Sequence, residues 1–255
     1  MNDTEQLREL IEKSERIVFF GGAGVSTESG IPDFRSEKGL YTAQQQYGRS
    51  PEEMISHSFF MREPDVFFRY YKENLIYREA KPNAAHLGLA EIERQGKKIA
   101  IVTQNIDGLH QDAGSGAVYE LHGSVRRNYC LDCGEKYDLD YILDPANCEK
   151  AGSETKYVPW CGKCGGMVRP DVVLYEEGLD DDVVSAATGA IAQADLLIVG
   201  GTSLVVYPAA GFLNYFRGDS LVLINMSATS VDGRAGLVIR RPIGEVFSEA
   251  LQAAR

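Results

Sequence analysis

Two cysteine pairs are the sharpest chemical signal in the sequence: Cys130-Leu-Asp-Cys133 and, beyond residues 134–160, Cys161-Gly-Lys-Cys164. A two-residue gap lets both sulfurs of a pair face one ion, so the four thiolates predict a single tetrahedral zinc. Redox-active pairs or an iron–sulfur cluster rank lower, because neither pair opens a helix after a strand. Four thiolates fill the coordination shell, which makes the metal structural. It would fold an insertion too small to hold itself together, since zinc binding in small modules is worth on the order of 10 kcal/mol. Gly134, Gly162, Gly165 and Gly166 supply the tight turns, and the fifth cysteine, Cys148, reads as an ordinary free thiol.

A second group of residues suits a nucleotide. Gly21-Gly22-Ala23-Gly24-Val25-Ser26-Thr27 follows an apolar run, where a glycine turn lets backbone approach a pyrophosphate and a following helix presents free N–H groups. Thr27 stands where a dinucleotide fingerprint has its third glycine, and no acidic residue ends a second strand about 20 positions on. By itself the turn is equally a tight strand–helix connection. Gly30-Ile31-Pro32-Asp33-Phe34-Arg35, Gln104-Asn105-Ile106-Asp107 and Glu120-Leu121-His122-Gly123 add an aromatic, an arginine, two amides, carboxylates and an imidazole. Each has a plain alternative: a helix cap for the second, a satisfied core histidine for His122.

These groups need strands to place them. Ile17–Phe20, Ile99–Thr103, Leu196–Val199 and Leu221–Ile224 are short apolar runs, each ending in small or polar residues. Such runs predict strands of a parallel sheet buried on both faces. Helical spacing lies between them: Leu7, Leu10 and Ile11; Leu87, Leu89 and Ile92 after Pro82-Asn83; and residues 186–194. The alternation predicts a doubly wound, Rossmann-like α/β sheet with ligands beyond the strands' carboxyl ends, where all four polar segments fall. Two stretches break the pattern. Residues 36–80, rich in Tyr, Phe and charge, read as an inserted helical module, and 127–170 as a zinc module; 1–35, 81–126 and 171–255 make up the sheet domain of a single unit.

Composition narrows the function classes. The chain has 255 residues, 44% hydrophobic and 25% charged, with a net charge of −11. That charge, without a basic patch, argues against nucleic acid or anionic membrane as partner. No apolar run nears the roughly 20 residues needed to span a bilayer, and the start MNDTEQLREL lacks a signal-peptide pattern. A cytoplasmic location is expected. The sequence leaves the oligomeric state open, and a monomer suffices.

GAGVS, GIPDFR, TQNID, ELHG, the two cysteine pairs, GTSLVVYPA and LIN occur in one order over residues 21–225. This set resembles the sirtuin family across nearly the whole chain, most closely its compact bacterial forms. The resemblance implies NAD as a consumed co-substrate, nicotinamide release, and acyl transfer from acyl-lysine proteins or peptides to ADP-ribose. By position, His122 is then the general base for a ribose hydroxyl, Asn105 orders a water or the ribose, and Asp107 accepts from the carboxamide. Phe34 covers the ribosyl carbon and Ile106 lines the same pocket. Gly22, Ala23, Gly24, Ser26, Thr27, Asp33 and Arg35 belong to the cofactor site, the Ala23–Thr27 turn and Arg35 on the phosphates, with Gln104 on the ribose. Gly201, Thr202, Ser203 and Asn225 match the phosphate and adenosine side, and Ile243 meets adenine through its backbone.

The same resemblance lays the peptide as a strand between Val172-Val173-Leu174-Tyr175 and a segment before or around Gly211-Phe212. Here the chain departs from the family, with Tyr175-Glu176-Glu177 where many members have aromatic-Gly-Glu. The change bears on peptide preference and leaves the chemistry intact. Members that remove succinyl or malonyl groups carry a tyrosine and an arginine three residues on; Phe68 and Tyr71 take those positions here. Without a guanidinium fork to pair a carboxylate, acetyl and other uncharged acyl groups are expected to be preferred. Mono-ADP-ribosyl transfer is the alternative reaction. A non-enzymatic zinc or NAD-sensing module and a hydride-transferring dehydrogenase rank below it.

Overall fold

The structure, a computed structural model, describes residues 2–33, 43–204 and 209–252. Within them, β1 (Arg16–Gly21), β2 (Lys98–Thr103), β3 (Val118–Glu120), β7 (Leu196–Gly200), β8 (Ser220–Ile224) and β9 (Leu237–Ile239) form one parallel sheet. Its order is β3-β2-β1-β7-β8-β9, so the winding direction reverses between β1 and β7. The four apolar runs became the four central strands. The flanking strands β3 and β9, three residues each, were too short to stand out by pattern.

Alternation along β1 feeds two cores. Ile17 and Phe19 pack with Leu7, Leu89 and Phe247 on one face, beneath α1 (Asp3–Lys13), α5 (Ala84–Arg94) and α9 (Ile243–Gln252). Val18 and Phe20 pack with Ile191, Leu197 and Phe212 on the other, beneath α8 (Asp181–Gln193) and a 3-10 stretch, Ala209–Tyr215. Successive side chains of a strand point to opposite faces, so an unbroken apolar run is the price of covering both. On α5, Leu87 departs from its expected inward place and is exposed; Ala85, Leu89 and Ile92 carry the buried stripe.

A second, antiparallel sheet, β5-β4-β6, comprises β4 (Gly123–Cys130), β5 (Lys136–Tyr137) and β6 (Val168–Val172), with α7 (Leu139–Leu143) between the last two. The boundaries expected at 126/127 and 170/171 fall inside β4 and β6, which run from the His122 region into the cysteine-bearing segment. Three short helices, α2 (Pro51–Met54), α3 (His57–Arg62) and α4 (Pro64–Asn74), follow a helical turn at 43–47. Ser50 and Ser56 cap α2 and α3, each accepting from the N–H three residues on.

The helical and cysteine-bearing segments share one aromatic core. Phe59, Phe60, Phe67, Phe68 and Tyr71 pack with Val125, Ile142, Val158 and Val168. Phe60 and Phe67 meet edge-on at 4.9 Å, and Phe67 stacks on Tyr71 at 5.7 Å. Such ring pairs contribute about 0.5–1.5 kcal/mol each beyond their buried area.

Candidate active site

The glycine turn after β1 lies against the one after β7. Gly24 N–H donates to the Gly201 carbonyl at 2.8 Å. A Cβ on Gly24 would come within 2.8–3.0 Å of the Gly201 backbone, and Gly201, at φ +59°, would collide with Val25 N at 2.4 Å. Only glycine fits this crossing. The turn leads into two 3-10 segments, Ala23–Val25 and Thr27–Ser29, rather than the expected α-helix. Gly30 at φ +85° and Pro32 stop helical winding before it can extend, so free N–H groups come from turns and not from one helix end.

Ser26, fully buried, links the first turn to the segment after β2. Its hydroxyl donates to Asp107 Oδ2 at 2.7 Å and accepts from Asn105 Nδ2 at 3.0 Å. Asp107 Oδ1 accepts from Leu109 N–H at 2.9 Å, ahead of α6 (Leu109–Asp112). The plain cap alternative therefore also holds for one of its oxygens. Gln104 Nε2 donates to Thr202 Oγ1 at 3.1 Å, tying the β2 segment to the β7 turn.

His122 stands between the two sheets. Gly123 follows it at φ +74°, where a Cβ would lie 2.0 Å from the Asp171 carbonyl oxygen. Nδ1 of His122 is 2.8 Å from the Gln104 carbonyl oxygen. A carbonyl can only accept, so Nδ1 carries the proton and Nε2 keeps its lone pair. Burial lowers the pKa from its ordinary 6.5, an effect the Gln104 carbonyl partly offsets. The ring is thus a neutral base at neutral pH.

These elements wall a cleft of about 420 Å³. Ala23, Ser26 and Asp33 line it from the first turn; Gln104, Asn105, Ile106 and Asp107 from the second; Gly201, Thr202 and Ser203 from the third. His122 and Val172, Val173, Leu174 and Tyr175 line it too, and the helical segment adds Ile55, Tyr70, Tyr71, Asn74, Leu75 and Tyr77.

The Sir2 family model matches residues 22–208. An NAD-dependent protein deacetylase of Clostridium perfringens is 59% identical over 247 residues, covering 96% of this chain and 97% of that one. One from Clostridium acetobutylicum is 57% identical over 251 residues, covering 98% and 99%. Among solved structures, a Sir2–p53 peptide–NAD+ complex superposes with a TM-score of 0.84 at 35% identity, over 100% of this chain and 99% of that one. A sirtuin from a study of substrate affinity gives 0.87 at 37%, over the whole of both chains. The chain belongs to the Sir2 family.

Not every position marked in this Sir2 sequence faces the cleft. Gly22 packs beneath it, donating to the Gly200 carbonyl at 3.3 Å. Thr27 is exposed and bonds back to the Gly24 carbonyl. Asn225 Nδ2 donates to the Thr202 carbonyl at 2.6 Å, so it braces the β7 turn. The Ile243 side chain is buried against Gly200. Phe34 and Arg35 lie outside the described residues. Gly211-Phe212 sits in the 3-10 stretch with Phe212 in the core, and of the segment before it, also expected as a second peptide edge, residues 205–208 lie outside the described residues. The wall contributed by Ile55 and residues 70–77 was missed, apart from Tyr71: it carries no motif, only an aromatic bias.

The four cysteines of the Sir2 chain converge. Their sulfurs lie within 4.8 Å of one another, with Cys130–Cys164 at 3.4 Å and Cys133–Cys161 at 3.7 Å. A tetrahedral zinc with 2.3 Å bonds spaces its sulfurs by ~3.8 Å, so the set fits one such ion. Gly134 and Gly165, at φ +70° and +74°, make the knuckle turns. Tyr137 Oη, 3.0 Å from Cys161 Sγ, and Asp132 N–H, 3.4 Å from Cys130 Sγ, supply hydrogen bonds that help carry thiolate charge. Cys148 is apart from them, buried beside Lys72 Nζ at 3.2 Å.

Proposed function

We propose a division of labour for the reaction of this chain, which is an NAD-dependent protein deacetylase holding one structural zinc. NAD supplies the ADP-ribosyl acceptor for the acyl group. The Ala23–Thr27 turn, with Gly201, Thr202 and Ser203, holds its phosphates and adenosine side; by family resemblance Arg35 serves the phosphates and Phe34 the ribosyl carbon, with Asp33 beside them. Asn105 and Asp107, pinned by Ser26, receive the nicotinamide carboxamide and the adjoining ribose. Acyl-lysine enters along Val172–Tyr175. His122 accepts a ribose hydroxyl proton at Nε2, which lets that oxygen take the acyl carbon.

The observation that carries this reading is the His122–Gln104 bond, because it fixes the tautomer a base requires. A protein that only sensed NAD would have no use for an oriented lone pair beside the ribose site. Division into a sheet domain, a helical module and a zinc module belongs to the same proposal. So does a cytoplasmic setting, which keeps the four thiolates reduced.

Acetyl and other uncharged acyl groups are the substrates of choice. Among described residues, the wall formed by Tyr70, Tyr71, Asn74, Leu75 and Tyr77 offers no cation. Nearby Lys72 is held by the Tyr157 carbonyl and Cys148, and Arg169 is engaged by Glu177. The test is NAD-dependent turnover of an acyl-lysine peptide panel, with nicotinamide, free lysine and O-acyl-ADP-ribose quantified together. Equal amounts of all three support deacylation. ADP-ribosylated protein in place of O-acyl-ADP-ribose would move the chain to mono-ADP-ribosyl transfer.

A further inference from the structure

Residues 173–175 have little backbone left to offer a ligand. Val173 N–H donates to the His122 carbonyl, and Leu174 N–H to the Glu177 carboxylate. Leu174 C=O accepts from Glu177 N–H, while Tyr175 N–H and C=O are taken by Ile55 and His57. Glu176 is the first residue along this edge whose N–H and C=O bond to nothing among the described residues. Its φ is +78°, one of two positive values at non-glycine residues in the described chain. A β-carbon makes that conformation unfavourable, so something must hold it.

The side chain does so. Glu176 Oε2 accepts from Ser58 N–H at 2.8 Å and from Ser58 Oγ at 2.5 Å, in the first turn of α3. Next to it, Glu177 accepts from His57 and, bidentately, from Arg169, so adjacent carboxylates fasten the edge to the helical wall of the cleft.

We propose that Glu176 is a positioning residue for the acyl-lysine peptide: anchored to Ser58, it holds a left-handed kink whose unclaimed N–H and C=O pair with the peptide backbone. The proposal rests on acyl-lysine entering along Val172–Tyr175, past which Glu176 offers the first wholly unpaired backbone among the described residues. Where glycine would sit easily but roam, glutamate accepts a strained backbone and removes its freedom before the peptide arrives. Ordering cost moves from binding to folding, and affinity gains by the difference.

The experiment is steady-state deacetylation at saturating NAD by the parent, Glu176→Gly, Glu176→Asn and Glu176→Gln. Glycine and asparagine both tolerate the kink, but neither reaches Ser58; glutamine keeps the reach and an accepting oxygen. Peptide KM is expected to rise about 2- to 10-fold in Glu176→Gly and Glu176→Asn, the factor for freeing one ordered segment. Their kcat and KM for NAD stay at parent values, and Glu176→Gln restores peptide KM to within about twofold of the parent. Unchanged peptide KM in Glu176→Gly overturns the proposal. So does an equal rise in KM for NAD, or a Glu176→Gln that behaves like Glu176→Gly. A parent that turns over no acyl-lysine peptide would instead remove the peptide-edge reading itself.

Discussion

Nδ1 of His122 donates to the carbonyl oxygen of Gln104 at 2.8 Å, joining the imidazole to the first residue of the loop that carries Asn105 and Asp107. The bond ties the position of the imidazole to that of the amide loop. The bond also sets what pH can do. Burial lowers the His122 pKa below 6.5, so the ring is already neutral at pH 7. The kcat profile should be flat from about pH 7 upward and fall on the acid side, as protonation takes the Nε2 lone pair. An acid limb centred above pH 7 would contradict this assignment.

Substituting His122→Tyr removes the base while filling its space. Turnover should drop by about 10²–10⁴-fold, the range for losing a general base. Zinc content by metal analysis and the far-ultraviolet spectrum should match the parent. Activity near the parental level would exclude His122 from the proton transfer.

Ser26→Ala tests the junction beneath the amide loop. The change leaves Asn105 and Asp107 each without a buried hydrogen bond. A charged partner raises the cost to about 1.5–3 kcal/mol, so kcat/KM for NAD should fall about 10- to 100-fold. Peptide binding, followed by fluorescence anisotropy of a labelled acetyl-lysine peptide without NAD, should change little. A loss confined to the peptide would place Ser26 elsewhere in the mechanism.

Acidification should destabilise the fold through two buried histidines. Burial holds His86 at about 4, with Asp107 opposing, and His110 at about 3, with His86 adding to the depression. Both folded values lie below the unfolded 6.5, so the unfolded chain binds more protons between them. Stability is fully present above pH 6.5 and is lost as pH falls toward 4 and 3, by about 1.4 kcal/mol per pH unit for each proton. Melting temperatures measured from pH 7.5 to 5 should fall with pH, and His110→Phe should flatten that slope. A Tm that rises on acidification would be the wrong sign.

Each chain should carry one zinc. Cys161→Ala, or chelation under mild denaturation, should release it and lower Tm, because the metal's binding energy is also folding energy. Colorimetric titration of released zinc gives the stoichiometry, and a parent that binds none would refute the site.

On acyl preference, succinyl-lysine peptide should be a poorer substrate than acetyl-lysine peptide of the same sequence by at least about tenfold. The figure is the order expected for burying a carboxylate without a partner. Mass spectrometry of paired peptides decides it, and faster succinyl removal would reverse the reading.

How much of this was legible beforehand follows from how local each determinant is. Strands β1, β2, β7 and β8 were readable because burial on both faces forces continuous apolar runs. The cysteine pairs were readable because a metal fixes ligand type and spacing together. Gln104, Asn105, Asp107 and His122 stood out as candidates only through several motifs taken at once, since no one of them excludes a cap or a core histidine. The crossing of Gly24 on Gly201 was hidden, because nothing in either turn names its partner 177 residues away. The Ser58 anchor of Glu176 was hidden for the same reason. The continuity of β4 and β6 across the expected boundaries was hidden because the strands carry polar, bulged stretches with no clean alternation.

The aromatic cluster that joins Phe59, Phe60, Phe67 and Tyr71 to Val158 and the cysteine strand has a consequence for dynamics. Sharing one core, a wall of the cleft and the metal knuckle should open to solvent as one cooperative unit. Their amides should exchange with deuterium at a common rate, separate from that of the parallel sheet. Losing the ion would then loosen the proposed acyl-lysine cleft from a distance, with no atom of the metal ever lining it.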